Sequence, residues 1–246
     1  MTGSAKAPEI IKQAFYSESI NPYTEPGVNV VEDDNVSFEK PIYTNHFYQD
    51  IFNTISNLIQ SGERVITLGG DHSIAYPVIA AHSQHYSNIE ILQIDAHSDL
   101  YENFEDNPYS HASPFARILE NELAVRLVQI GIRCQTPHLK AQSEKFNVEV
   151  VEMKDYSINE LPRFENPLYI SLDLDALDPA FAPGVSHHEP GGFSSRQVLD
   201  LLHTIDVPII GADIVEYNPI RDHVGITAAL AAKLLKEIIG LMKSNG

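Results

Sequence analysis

Three metal-philic side chains, Asp95, His97 and Asp99, stand two residues apart where the apolar run Ile91-Leu-Gln-Ile94 ends. A strand alternates faces with period two, so these three would point the same way if the strand continued. Three ionisable groups converging on one face make a poor core and a good metal site. Further along, Asp173 and Asp175 follow the apolar run 168–172, His72 follows 64–68, and Glu216 follows 207–215. Taken singly, these residues have ordinary readings: Asp71, beside His72, would cap the next helix, and one aspartate after a strand is common. Brought together, the carboxylates of Asp95, Asp99, Asp173 and Asp175 would repel and lose solvation, which costs several kcal/mol per buried ion unless compensated. Two divalent cations neutralise four carboxylates, with the imidazoles of His72 and His97 completing the coordination. A carboxylate-rich set with some imidazole suits Mn²⁺ better than Zn²⁺, and Ni²⁺ or Co²⁺ would also be accepted. The chemistry such a pair supports is metal-assisted hydrolysis. Glu216 lies outside the metal count and could neutralise a cationic substrate.

These residues need elements to position them, and the pattern provides an alternation. Helical periodicity is expected over 7–16, with Pro8 tolerable in the first turn. Another helix carries Phe47, Ile51, Ile55, Leu58 and Ile59 on one stripe, and Gly62 ends it. Residues 17–43 lack periodicity and read as a long surface connection. Strands are expected over 64–68, 89–94, 126–132, 148–153, 168–172 and 207–215. Helices are expected up to about Tyr86 and over 114–123, 136–146 and 226–242, with one more capped by Ser194 or Ser195. Near-continuous apolar strands alternating with helices imply a parallel sheet covered on both faces, and a single α/β domain over 1–246. In such sheets ligands bind at the carboxyl ends of the strands, which is where the polar residues fall.

Composition excludes several classes. Sixteen Lys and Arg against 34 Asp and Glu give a net charge of −18, which argues against a nucleic-acid or acidic-membrane partner. No apolar run approaches the roughly 18 residues of a membrane span. One cysteine, Cys134, and an N-terminus without a charged region followed by an apolar run lead to the expectation of a cytoplasmic protein. Cys134 itself reads as a small buried residue.

Four segments, in order, resemble the signatures of the ureohydrolases, the family of arginases and agmatinases. They are Gly69-Gly-Asp-His72-Ser, Asp95-Ala-His-Ser-Asp99, Ser171-Leu-Asp-Leu-Asp-Ala-Leu-Asp-Pro179 and Gly211-Ala-Asp-Ile-Val-Glu216-Tyr-Asn-Pro. The stretches 101–117 and 182–192 are similar to the plant-type arginase branch. The resemblance runs from about residue 3 to the end and implies a three-layer α-β-α fold with a mostly parallel sheet. It implies one metal held by His72, Asp95, Asp99 and Asp173, and a second held by Asp95, His97, Asp173 and Asp175. It also implies that metal-bound hydroxide attacks the guanidino carbon of L-arginine, giving ornithine and urea. Asp99 would pass a proton to the leaving amine, His111 would exchange protons with solvent, and Glu216 would pair with the substrate guanidinium. A homo-oligomer, trimeric or hexameric, is expected on the same basis.

The sequence departs from that pattern in three places. The segment matching Gly3–Pro8 stands at the start, so the family's first strand is expected to be missing, leaving an apolar groove in the sheet. The loop that grips an amino acid's α-carboxylate and α-amine in animal-type arginases is not recognisable, and Asn103 and Ser110 are the candidates for that contact. His187 stands where many relatives have a threonine near the guanidinium, and it either contacts substrate or only packs. Agmatine or another guanidino compound is the alternative substrate, and a non-catalytic metal-binding homologue is the alternative of a different class. His46, His82, His85, His138, His203 and His223 are expected in surface or capping roles.

Overall fold

The computed structural model describes residues 3–40 and 46–245. Six strands, β1 (Val65–Leu68), β2 (Glu90–Ile94), β3 (Arg126–Ile132), β4 (Glu149–Glu152), β5 (Leu168–Asp173) and β6 (Ile209–Val215), form one sheet. Its order is β1-β6-β5-β2-β3-β4 and every pairing is parallel. The central strands β2, β5 and β6 are buried along their whole length, as their mainly apolar sequences favour.

Seven α-helices cover the sheet among the described residues: α1 (Ala7–Phe15), α2 (Phe47–Gln60), α3 (Ala75–Ser83), α4 (Pro114–Glu120), α5 (Pro137–Lys145), α6 (Ser195–Leu202) and α7 (Ile226–Ser244). Two apolar clusters divide them into layers. Ile11, Val198, Leu202, Leu234 and Ile238, from α1, α6 and α7, pack with Leu92, Ile94, Ile170 and Ile214 on one face. Ile55, Val78, Ile79 and Phe115, from α2, α3 and α4, pack with Ile91, Leu127 and Ile210 on the other. Alternate residues of one strand, Ile91 and Leu92, thus serve opposite layers. The expected three-layer α-β-α arrangement is present.

Local chemistry sets the element ends. Pro8 and Pro114 sit in the first turns of α1 and α4, where a missing N–H costs nothing. Ser194 caps α6 in a reciprocal box with Gln197. The last strand begins at Ile209 rather than at the expected Val207, because Pro208 lacks a donor for the ladder. No strand precedes Val65 among the described residues, and β1 forms the sheet's edge.

The expectation for residues 17–43 needs correction. Over 17–40 the chain has no helix or named strand, yet Val30 is fully buried and Val28, Val31, Val36 and Phe38 pack against the core. Aperiodic spacing hid these anchors; residues 41–43 lie outside the described set.

Candidate metal centre and active site

The carboxyl ends of β1, β2, β5 and β6 deliver His72, Asp95, Asp173 and Glu216 to one edge of the sheet, with His97, Asp99 and Asp175 just beyond. Asp71 caps the 3₁₀ turn that carries His72, accepting from the Ser73 N–H at 3.2 Å. Asp99 and Glu216 hold left-handed backbone, φ 50° and 65°, a conformation that non-glycine residues adopt only when the surroundings impose it.

His72 Nδ1 is buried and lies 3.0 Å from Asp99 Oδ2, 3.1 Å from Asp95 Oδ2 and 3.2 Å from Asp173 Oδ2. None of the three contacts has hydrogen-bond geometry, so the nitrogen is an orphan facing three carboxylate oxygens. The ring's other nitrogen, Nε2, meets Ser171 Oγ at 2.9 Å. The Ser171 hydroxyl donates to Asp213 Oδ1 at 2.7 Å, and the Tyr169 hydroxyl donates to Asp213 Oδ2 at 2.7 Å. This second contact aims Nδ1, not Nε2, at the acids. His97 Nδ1 lies 3.1 Å from Asp175 Oδ2 and 3.7 Å from Asp95 Oδ1.

Donor atoms of His72, Asp95 and Asp99 lie within 4.8 Å of one another, and those of Asp95, His97 and Asp175 do likewise. Asp95 is common to both groups. The set is hard carboxylate oxygen with one imidazole in each group, which fits divalent first-row cations. The structure therefore contains an Asp/His cluster that could hold metal ions.

Electrostatics reflect the crowding. Burial opposes a charge on His72, yet Asp173, Asp95 and Asp99 push its pKa well above the ordinary range. His97 is likewise raised against burial, by Asp175 and Asp95. Burial and the charge of Asp95 push Asp99 up to about 6, and burial with Asp175 and Asp95 raises Asp173 further. For Asp95, burial is outweighed by His72 and His97, which hold its carboxyl low.

Glu216 Oε1 accepts the His72 N–H at 2.9 Å, while Oε2 is buried with no partner. Burial, then the nearby charge of Asp71, pushes its pKa up to about 8. An acid with one free, desolvated oxygen is poised for a cation.

Three histidine rings form a row. His187 lies edge-on to His97 at 5.9 Å and stacks on His111 at 5.6 Å, 18° from parallel. Phe104 meets His111 edge-on at 5.8 Å. Burial lowers the pKa of both His111 and His187. Of the two candidates for an α-amino-acid contact, only Ser110 touches this set, its Oγ lying 3.4 Å from His111 Nδ1. Asn103 is exposed and makes no hydrogen bond among the described residues. The buried Ser110 hydroxyl accepts from its own turn, from the Ala112 N–H at 3.3 Å.

A further contributor has no sequence motif of its own. Arg133, just past β3, donates to the carbonyls of Asp175, Ala176, Leu177 and Glu189 and thereby holds the loop after β5. Ser171 and Asp213 fall within two of the signature segments, as polar positions inside otherwise apolar strands, and that placement is the signal that could have marked them. Cys134 is partly exposed rather than buried. His82 is fully buried, contrary to expectation: its Nδ1 bonds the Val78 carbonyl at 2.9 Å and its ring meets Tyr169 edge-on at 5.0 Å. The other histidines of that group hold peripheral positions, as in the His138–Glu102 pair at 3.0 Å.

A parallel α/β sheet whose strand ends gather acids and imidazoles defines a metallohydrolase type of protein. The model of the arginase family matches residues 1–240, and this chain belongs to that family. It is 44% identical to arginase 1, mitochondrial, of Arabidopsis thaliana over 97% of this chain and 75% of that protein. It is 43% identical to the mitochondrial arginase of Medicago truncatula over 98% of this chain and 77% of that protein. The solved arginase from Medicago truncatula superposes with a TM-score of 0.91 at 41% identity, covering 98% of this chain and 82% of that one. The expected plant-type branch is supported. The cytoplasmic location is not: both plant relatives are named mitochondrial, against that expectation. A lone cysteine could not discriminate, because the cytoplasm is not the only compartment that keeps a thiol reduced. Among the described residues no helix is long and apolar enough to cross a membrane.

Proposed function

We propose that this protein hydrolyses the guanidino group of L-arginine to ornithine and urea with two manganese ions bound, the whole chain acting as one catalytic unit. The observation that carries the reading is the sharing of Asp95 by two donor groups, beside a buried His72 Nδ1 with no hydrogen-bond partner. Manganese fits the donor set, in which carboxylate oxygens outnumber imidazoles. His72, Asp95, Asp99 and Asp173 would hold one ion; Asp95, His97, Asp173 and Asp175 would hold the other. When bound, the ions supply Lewis acidity and an activated water.

The remaining steps belong to the chain. Glu216 presents its unpartnered Oε2 to the substrate guanidinium, and the cation's field returns the carboxyl to its ionised form. Asp99 carries a proton to the departing amine. His111 stands at the rim, stacked on His187, and exchanges that proton with solvent. His187 borders the substrate path beside His97, and Asn103 and Ser110 lie on the loop that would meet the distal end of the substrate. The active form is a homo-oligomer, a trimer or hexamer.

Urea release from arginine, agmatine and 4-guanidinobutyrate, each with and without Mn²⁺, tests this directly. Manganese-dependent urea, fastest from arginine, is expected. Equal rates on agmatine would overturn the substrate assignment, and no urea from any of the three would overturn the reaction.

A further inference from the structure

Two glutamines occupy strand positions where a parallel core ordinarily carries apolar side chains. Gln93 in β2 and Gln129 in β3 are fully buried and stand opposite each other in register. Their amides form a directed chain: Gln129 Nε2 donates to Gln93 Oε1 at 2.6 Å, and Gln93 Nε2 donates to Asp95 Oδ2 at 2.7 Å. Each nitrogen also reaches a backbone carbonyl, Gln93 to His97 O at 3.1 Å and Gln129 to Ser98 O at 2.7 Å. Turning either amide over would set its oxygen against other oxygens, so the chemistry of the neighbours fixes both orientations.

The consequence falls on Asp95. Its Oδ1 accepts the His97 N–H at 2.7 Å, so each carboxylate oxygen already takes one hydrogen bond. A carboxylate oxygen has two acceptor directions, which leaves one on each oxygen. That is the valence needed to ligate two cations at once, one per oxygen. Asp173, the other shared acid of the proposed pair, has its Oδ1 held by the Asp175 N–H and receives no side-chain amide. The glutamine chain is specific to Asp95.

We propose that Gln93, backed by Gln129, is a positioning residue that holds Asp95 in the orientation that joins two metal ions. This deepens the two-metal reading above and rests on it. The rival role is structural: the amides would serve only to satisfy the His97 and Ser98 carbonyls and pin the loop. The two roles separate in what they cost. A structural role appears in the stability of the metal-free protein, whereas positioning appears in metal affinity and in coupling between the ions.

The experiment compares wild type, Gln93→Leu and Gln129→Leu by calorimetric Mn²⁺ titration, electron paramagnetic resonance of the loaded protein, and denaturation of the metal-free forms. Gln93→Leu should lose roughly tenfold to a hundredfold in Mn²⁺ affinity, the range found for groups that orient metal ligands. Its spin-coupled two-manganese signal should weaken or change shape. Gln129→Leu should shift both readouts the same way by less, and it decides the question if Gln93→Leu does not fold. Unchanged affinity and an unchanged coupled signal, even with a less stable metal-free protein, would overturn the proposal. Wild-type protein that takes up no metal pair would overturn the two-metal reading and this proposal with it, a result distinct from an intact pair indifferent to Gln93.

Discussion

Glu216 is an acid held in left-handed backbone, buried, with one oxygen spent on the His72 N–H and the other on nothing. Such an arrangement is costly in the free protein, since an unsatisfied buried oxygen forfeits its hydration. A guanidinium would recover that loss. Glu216→Gln keeps an acceptor for the His72 N–H and a side chain of the same size, but it removes the charge. Hydrogen bonds to charged groups are worth about 1.5–3 kcal/mol, so the arginine KM should rise roughly tenfold to a hundredfold. Metal content should be unchanged. A normal KM in steady-state kinetics would remove Glu216 from the substrate contact.

At the scale of elements, the interface between α3 and the sheet carries a test of its own. His82 lies under Gly211 of β6, so close that a side chain at 211 would collide with its ring. Burial pushes its pKa down to about 4, with no carboxylate beside it to oppose the shift. The folded state therefore binds fewer protons here than the unfolded state below about pH 6.5. Stability from this site is complete above that value and is lost as pH falls towards 4. Between pH 7 and pH 5 the loss is about 2 kcal/mol. Leucine at 82 cannot take up a proton, so the His82→Leu protein should show a shallower fall in its denaturation midpoint over that interval. An equally steep fall would mean that His82 is protonated in the fold. The helix ends, by contrast, follow local chemistry: Pro8, Pro114 and Ser194 sit where their missing donor or spare acceptor is needed.

For the molecule as a whole, acidic charge collected at one sheet edge links metal binding to stability. With −18 net charge and four aspartates around two imidazoles, bound cations should stabilise the native state and do little for the unfolded chain. At a thousandfold excess over Kd the gain is about 4 kcal/mol. The melting temperature should therefore rise when Mn²⁺ is added to EDTA-treated protein and should return when the metal is chelated again. A melting temperature indifferent to Mn²⁺ would mean that no metal sits in the cluster.

What the sequence determined by itself was everything that repeats over short range. Apolar periodicity located each strand and helix to within a few residues, because burial on one stripe or both faces leaves its trace in neighbouring positions. The clustered Asp and His residues after four strands were legible for a similar reason, since parallel sheets gather strand ends at one edge. Long-range pairing was decided only in three dimensions. Gln93, Gln129, Ser171 and Asp213 gain their meaning from partners on other strands, and His82 is buried because a glycine of β6 opens room above it. Val30 anchors a loop with no pattern to announce it. A buried polar or lone apolar side chain is justified by what lies across the core, and that neighbour is chosen by the tertiary fold.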